Sequence, residues 1–296
     1  MSTRALEVVV TRGDVIEARH RAHVIATQNG KSVLEAGDAS FVTFFRSSAK
    51  PIQALPLVRA RPDLTDEEIA IACASHLARP EQLSAVRSLL AAAPADETEL
   101  ETGPEPTPLE HNCSGKHAGF LALCHARGWP TAGYRLPEHP CQLELLGEVA
   151  AAAEVDAGSI PTGVDGCGVV TFALPLERMA HAFARLPELA GGARALAAMR
   201  AHPDLIRGPA AADSILMREL PGWAAKGGAE GLMCAAGPDG LGLALKVEDG
   251  NTRAVAAALA EVVRRLGLPV VEAMATTPVT NSRGESVGEI RLGVGS

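Results

Sequence analysis

The segment Arg46-Ser47-Ser48-Ala49-Lys50-Pro51 sets a hydroxyl and an amine three residues apart, at Ser47 and Lys50. On a helix such a pair shares one face. A serine hydroxyl becomes a nucleophile when a neighbouring base takes its proton. A lysine is that base once burial or a nearby cation lowers its pKa. Ser48 lies two residues from Lys50 and points elsewhere on a helix, which favours Ser47. The mostly apolar residues 41–45 would supply a low-dielectric wall. Taken alone, the pattern reads first as a serine-capped helix start followed by an exposed lysine. Arg46 is a planar fork suited to a substrate carboxylate; its plain alternative is a solvated arginine.

Four further clusters carry chemistry. Cys73-Ala74-Ser75-His76 adds a second hydroxyl beside a histidine, which suits proton transfer or a simple turn. His111-Asn112-Cys113-Ser114-Gly115-Lys116-His117 packs ionisable groups at a helix start, where backbone N–H groups favour a carboxylate. Lys116 shares a face with Cys113, and a nearby cation favours the thiolate as nucleophile or metal ligand. His117 could donate a hydrogen bond to substrate. Gly163-Val164-Asp165-Gly166-Cys167-Gly168 suits close approach by a ligand. There Asp165 could bind a substrate amino group, and Cys167 could join Cys113 as the second sulfur on a zinc ion. Lastly, Lys226 opens Lys226-Gly227-Gly228 and reads as a solvated loop residue. Lys246 lies near the end of an apolar strand and could be a second base, or the cation that depresses the pKa of Lys50.

The elements that must position these groups are legible in outline. Residues 6–11, 15–27 and 32–36 read as strands, with Asn29-Gly30 as a hairpin turn because both positions tolerate positive φ. Helical patterns cover 66–75, 80–93, 114–127, 142–153, 176–185 and 192–201, with Gly128 as a helix stop. Residues 231–236 and 241–247 read as strands, and 251–266 as an Ala-rich helix capped by Asn251. Strand-rich ends around a helical middle predict an α+β fold with one antiparallel sheet built from both termini.

Composition narrows the function. The length of 296 residues suits one large domain or two small ones, and with no linker that forces a division a single domain, 1–296, is expected. Aromatic residues make up only 3%, so aliphatic side chains and alanine must build the core. With 35 acidic against 27 basic residues, the net charge of −8 argues against nucleic-acid binding. No apolar run is long enough to span a membrane, and the first ten residues do not read as an export signal. Six cysteines without a CxxC pair fit a reducing compartment, so a cytoplasmic location is expected.

Together the segments RSSAKPIQALPLV, CASHLARPEQL, HNCSGKHAGFLALC, GVDGCGVVTFALPLERMA, KGGAEGLMC and GLALKVEDG resemble the L-asparaginase II family of the rhizobial, thermolabile type. The resemblance implies a fold like the serine β-lactamases and penicillin-binding proteins, hydrolysis of L-asparagine to L-aspartate and ammonia, and a homodimer. It implies Ser47 with Lys50 as the nucleophilic pair and Ser75 with Lys246 as a second pair. It also implies a zinc ion on Cys113, Lys116 and Cys167, with Asp165 beside them. Residue chemistry alone nominates His111 or His117 as the third zinc ligand, because lysine must be neutral to donate its lone pair. Three other readings stay open. They are a β-lactam or peptide hydrolase on the same fold, a zinc-bound water as the attacking group, and a zinc-bearing amino-acid-binding protein.

Overall fold

The computed structural model describes residues 4–104 and 106–293. The N-terminal strands are β1 (Leu6–Arg12), β2 (Val15–Gln28), β3 (Lys31–Ala36) and β4 (Val42–Phe44). Six helices follow: α1 (Lys50–Gln53), α2 (Leu55–Ala60), α3 (Asp66–Ala72), α4 (Pro80–Ala92), α5 (Ser114–Arg127) and α6 (Pro140–Ala153). Next come β5 (Thr162–Val164), β6 (Val170–Pro175), α7 (Leu176–Arg185), α8 (Gly192–Ala201), α9 (Pro203–Ile206) and α10 (Ala212–Glu219). The chain then runs through β7 (Ala224–Gly228), β8 (Leu232–Ala236), β9 (Leu241–Val247), α11 (Val255–Arg265), α12 (Glu272–Ala275), β10 (Thr276–Thr280) and β11 (Ser286–Leu292).

Eight strands form one antiparallel sheet in the order β10-β11-β1-β2-β9-β8-β7, with β3 also paired to β2. Val8 sits opposite Leu292, so the two ends of the chain share one sheet, as the sequence predicts. Asn29 and Gly30 take φ of 50° and 75° and close the β2–β3 hairpin. β8 shows why the sheet is buried on both faces. Leu232, Cys234 and Ala236 join one apolar cluster, while Met233 and Ala235 join the other. A continuous apolar run is the expected signature of such a strand. Helices α10, α11 and α12 cover one face; α7 and the helical middle cover the other.

Beyond the short helices α1, α2, α9, α10 and α12, which the sequence reading did not include, four differences stand out. The helix expected over 66–75 ends at Ala72, which leaves Cys73 to His76 in irregular backbone. Helix α6 starts at Pro140, with the His139 ring accepting from the Cys141 N–H. Residues 162–164 and 170–175 form a second small sheet with β4. Lys226 belongs to an edge strand and is fully buried, not a solvated loop residue.

Close helix contacts position the site, and they need missing side chains. A Cβ at Gly115 would meet the Ile71 carbonyl oxygen at 2.2 Å, so α5 lies directly on α3. At Gly242 a Cβ would meet the Ala180 carbonyl oxygen at 2.0 Å, where α7 crosses β9. Gly242→Ala is expected to push α7 off the sheet and destabilise the fold by about 3 kcal/mol. A urea unfolding midpoint lowered by that free energy divided by the slope, at unchanged slope, checks this.

Candidate active site

Ser47 follows a backbone held out of its preferred region. Arg46 has φ of 48°, although it is not glycine. Such a conformation costs about 1–3 kcal/mol and persists where surrounding contacts enforce it. Two contacts do so here. The Arg46 N–H donates to Thr171 Oγ1 at 3.2 Å, and its Nε donates to Asp165 Oδ1 at 2.7 Å. The chain then enters a single 3₁₀ turn, Arg46–Ala49, that runs into α1. Ser47 is half-buried, and its hydroxyl has no hydrogen-bond partner among the described residues. Ser48 is fully buried and donates to the Lys226 carbonyl at 2.8 Å. The two adjacent serines thus divide into one free hydroxyl and one committed to the strand beside it.

Lys50 is completely buried. Its Nζ donates to Ser75 Oγ at 2.9 Å, to the Ala74 carbonyl and to Cys113 Sγ at 3.3 Å. Burial pushes its pKa down; Cys113 opposes that shift, and the Lys116 charge adds to it. Ser75 is placed by its N–H, which donates to the Ile206 carbonyl. His76 fixes the same segment to α5. Its Nδ1 accepts from the Ala78 N–H, so Nε2 carries the proton and donates to Ser114 Oγ at 2.7 Å. Burial lowers the His76 pKa to about 4, which keeps the ring neutral.

Beside Lys50 the two thiols are coupled. The hydrogen bond from Cys167 pulls the Cys113 pKa well below its ordinary value, with Lys50 and Lys116 assisting. The Cys167 pKa is raised by the same contact and by burial. Lys116 Nζ donates to Cys167 Sγ at 3.1 Å. Burial disfavours its charge, but Cys167, Cys113 and Asp165 together outweigh that and raise its pKa. Among the described residues no group of three or more His, Cys, Asp and Glu side chains converges on a metal position. The sulfur, sulfur and amine set of Cys113, Cys167 and Lys116 does converge. Its 3.1 Å nitrogen–sulfur separation is near the roughly 3.5 Å expected for neighbouring ligands on tetrahedral zinc. These donors therefore fit a zinc ion, provided Lys116 gives up its proton.

The remaining candidates are rearranged. Arg46 and Asp165, both expected to meet substrate, are paired with each other. His117 is fully buried; its Nδ1 faces Tyr134 Oη at 2.7 Å. Tyr134 accepts from the Glu101 N–H, so its own proton goes to Nδ1 and the ring proton sits on Nε2. That Nε2 has no partner among the described residues. Ser75 and Lys246 are not partners: the amine near Ser75 is Lys50. Lys246 donates instead to the carbonyls of Glu230 and Val247, with its ammonium 5.9 Å from the Phe41 ring centre.

Strand pairing explains the displacement. Lys226 pairs with Cys234, and Cys234 with Ala244, two residues short of Lys246. Two strand spacings and two residues of rise separate the two lysines by about 12 Å. Lys226 is the lysine that feels Lys50. Burial takes its pKa down to about 7; Asp213, 3.9 Å away, opposes this, and Lys50 and Arg207 reinforce it. The sequence carried a signal for it. Ala224-Ala225-Lys226-Gly227-Gly228 is a small-residue run ahead of a tight turn, which can be read as an edge strand instead of a loop.

With this geometry in hand, the sequence model of the L-asparaginase II family matches residues 8–292. The chain belongs to the L-asparaginase II family. No curated protein matches the sequence. Solved structures resemble this asparaginase II-family chain more distantly. The native form of Mglu is 13% identical, covers 84% of this chain and 65% of its own, and has a TM-score of 0.48. A Bacteroides dorei DSM 17855 protein assigned as a beta-lactamase is 13% identical, with 82% and 93% covered and a TM-score of 0.45. The probable glutaminase of Bacillus subtilis, complexed with 6-diazo-5-oxo-L-norleucine, is 13% identical, with 84% and 85% covered and a TM-score of 0.37. This chain thus spans just under two thirds of Mglu. At such identities and scores, these likenesses carry no argument about activity.

The two serines differ in stability as well as in access. Ser48→Ala is expected to cost about 1–3 kcal/mol, because it strips a buried carbonyl of its donor. Ser47→Ala, which loses no hydrogen bond, is expected to stay within about 0.5 kcal/mol. Denaturant titration of both variants checks the contrast.

Proposed function

We propose that the enzyme hydrolyses the side-chain amide of L-asparagine to L-aspartate and ammonia through an ester on Ser47. The observation that supports this most is the free Ser47 hydroxyl, one turn from a buried lysine whose proton affinity is lowered. Ser47 Oγ attacks the amide carbon and its proton passes to the Lys50 amine. Backbone N–H groups that reach the developing oxyanion would add roughly 3–4 kcal/mol per donor. Lys50, through Ser75, returns the proton to the leaving nitrogen, and ammonia departs. Water then cleaves the ester with the same groups acting in reverse. Lys226 takes the part assigned at first to Lys246. In its protonated form it repels a proton on Lys50.

A zinc ion would be held by Cys113, Lys116 and Cys167, where it would supply fixed positive charge for orienting substrate. Asp165 and Arg46, held as a pair, offer opposite charges to the two ends of an amino acid. A homodimer and a cytoplasmic location belong to the same proposal. The first is supported by the family resemblance and the second by six cysteines without a CxxC pair, and mass in solution tests the first.

Ammonia release from L-asparagine and from L-glutamine tests the reaction. Ser47→Ala is expected to lower turnover by at least about 10³-fold while the protein stays folded. Retention of wild-type turnover in that variant removes Ser47 as the nucleophile. Turnover on glutamine alone reassigns the substrate. Cys167→Ser is expected to lose the zinc carried by the wild-type protein, measured by atomic absorption. Equal zinc in both rejects the metal assignment.

A further inference from the structure

We propose that Asp213, at the start of α10, is a positioning residue that holds the Lys226 amine beside the nucleophile turn as its buried counter-charge. The inference rests on the reading that Lys226 belongs to the catalytic cluster. Both side chains are withdrawn from solvent, Lys226 at 0% and Asp213 at 1% exposure, and Asp213 Oδ2 lies 3.9 Å from Lys226 Nζ.

The carboxylate is held at both oxygens. Oδ2 accepts from the Gly227 N–H at 3.0 Å, and Oδ1 accepts from the Ser214 N–H at 3.1 Å. Its helix is tied down in turn by Ser214 Oγ, which donates to the Pro203 carbonyl at 2.8 Å. A Cβ at Gly227 would come within 3.3 Å of Oδ2, so the strand lacks a side chain where the carboxylate approaches. From its other side, β7 is fastened to the nucleophile turn by the Ser48 hydroxyl on the Lys226 carbonyl. One line of contacts therefore runs from α10 through β7 to Ser48, next to Ser47.

The ionisable groups facing Lys226 come from six places. They are Asp213 on α10, Lys50 on α1, Arg207 after α9, Cys113 before α5, Cys73 after α3 and Cys234 on β8. Asp213 is the carboxylate among them. Without it, the amine faces two cations in a dry interior. An opposite charge at this range favours the protonated amine by about 1–3 pH units. Removing it must move the loss of the Lys226 proton to lower pH by that amount, whichever protonation state the reaction uses.

The test is the pH profile of kcat for ammonia release in wild type, Asp213→Asn, Asp213→Glu and Lys226→Met. Asp213→Asn keeps the size and an acceptor oxygen but removes the charge. The limb set by Lys226 is expected to be absent from Lys226→Met. It is expected to shift down by about 1–3 units in Asp213→Asn and to return close to wild type in Asp213→Glu. A limb lost in Lys226→Met but unmoved in Asp213→Asn overturns the proposal and leaves Lys226 in the cluster. A purely structural aspartate gives this result, with activity lowered at every pH. A limb that survives in Lys226→Met overturns the reading of Lys226 itself. Should Asp213→Asn fail to fold, Asp213→Ser, smaller and equally neutral, is read by the same criterion.

Discussion

Two of the lysines here, Lys50 and Lys226, have no measurable contact with water, and Lys116 has almost none. Burying an ammonium is costly unless acceptors and opposite charge surround it, and the pKa falls where they are too few. The surroundings of the three differ by a few contacts, and their proton affinities separate accordingly. Lys116 has two sulfurs and Asp165 around it, and its proton affinity rises. Lys50 has carbonyl, hydroxyl and sulfur partners but also lysine neighbours, and its affinity falls. Lys226 has one carboxylate and drops to about 7. Much of the interior serves this separation. It excludes water, brings the thiols to the amines, and sets the amines close enough to repel one another.

Such closeness depends on small residues. A chain with 3% aromatic residues cannot fill space with rings, so its helices approach the sheet and each other backbone to backbone. Gly119 faces Ala72 and Leu57 across the contact between α5 and its neighbours, beside the larger conflict that a side chain at Gly115 would create. These contacts bring the Cys113 end of α5 against the Ser75 segment. His76 locks the junction through Ser114. The low aromatic content and the density of the reactive cluster thus have one structural origin.

Sequence patterns disclosed most of the elements, because strand alternation, the Asn29-Gly30 turn and the Gly128 stop are local signals. Helix α5 is found with its predicted ends, 114 and 127, for the same reason. Cys113 and Cys167 were legible as a pair from residue type, whereas Lys116 as their partner came from the family resemblance and not from residue chemistry. What remained hidden depended on the register between strands. Nothing local in Lys226 or Lys246 tells which lies nearer Lys50; that follows from the pairing of β7, β8 and β9. Asp213 stayed hidden for a related reason. Its helix is short and weakly patterned, and its significance comes from a contact with another element. Nor could the sequence divide Ser47 from Ser48 by access, since that division is made by the Lys226 carbonyl on a distant strand.

The pairing of Val8 with Leu292 also has a kinetic meaning. Sheet strands β1 and β2 are complete early in synthesis, but their partners β11 and β9 lie in the last fifth of the chain. Until then, two apolar strands stand with open edges while the helical middle is already free to assemble. Contacts between such distant parts of a chain form slowly, because the intervening loop must be closed first. The nascent protein therefore passes through a stage in which its most adhesive surface waits for its own C-terminal strands. A topology of this kind needs that edge shielded in the meantime.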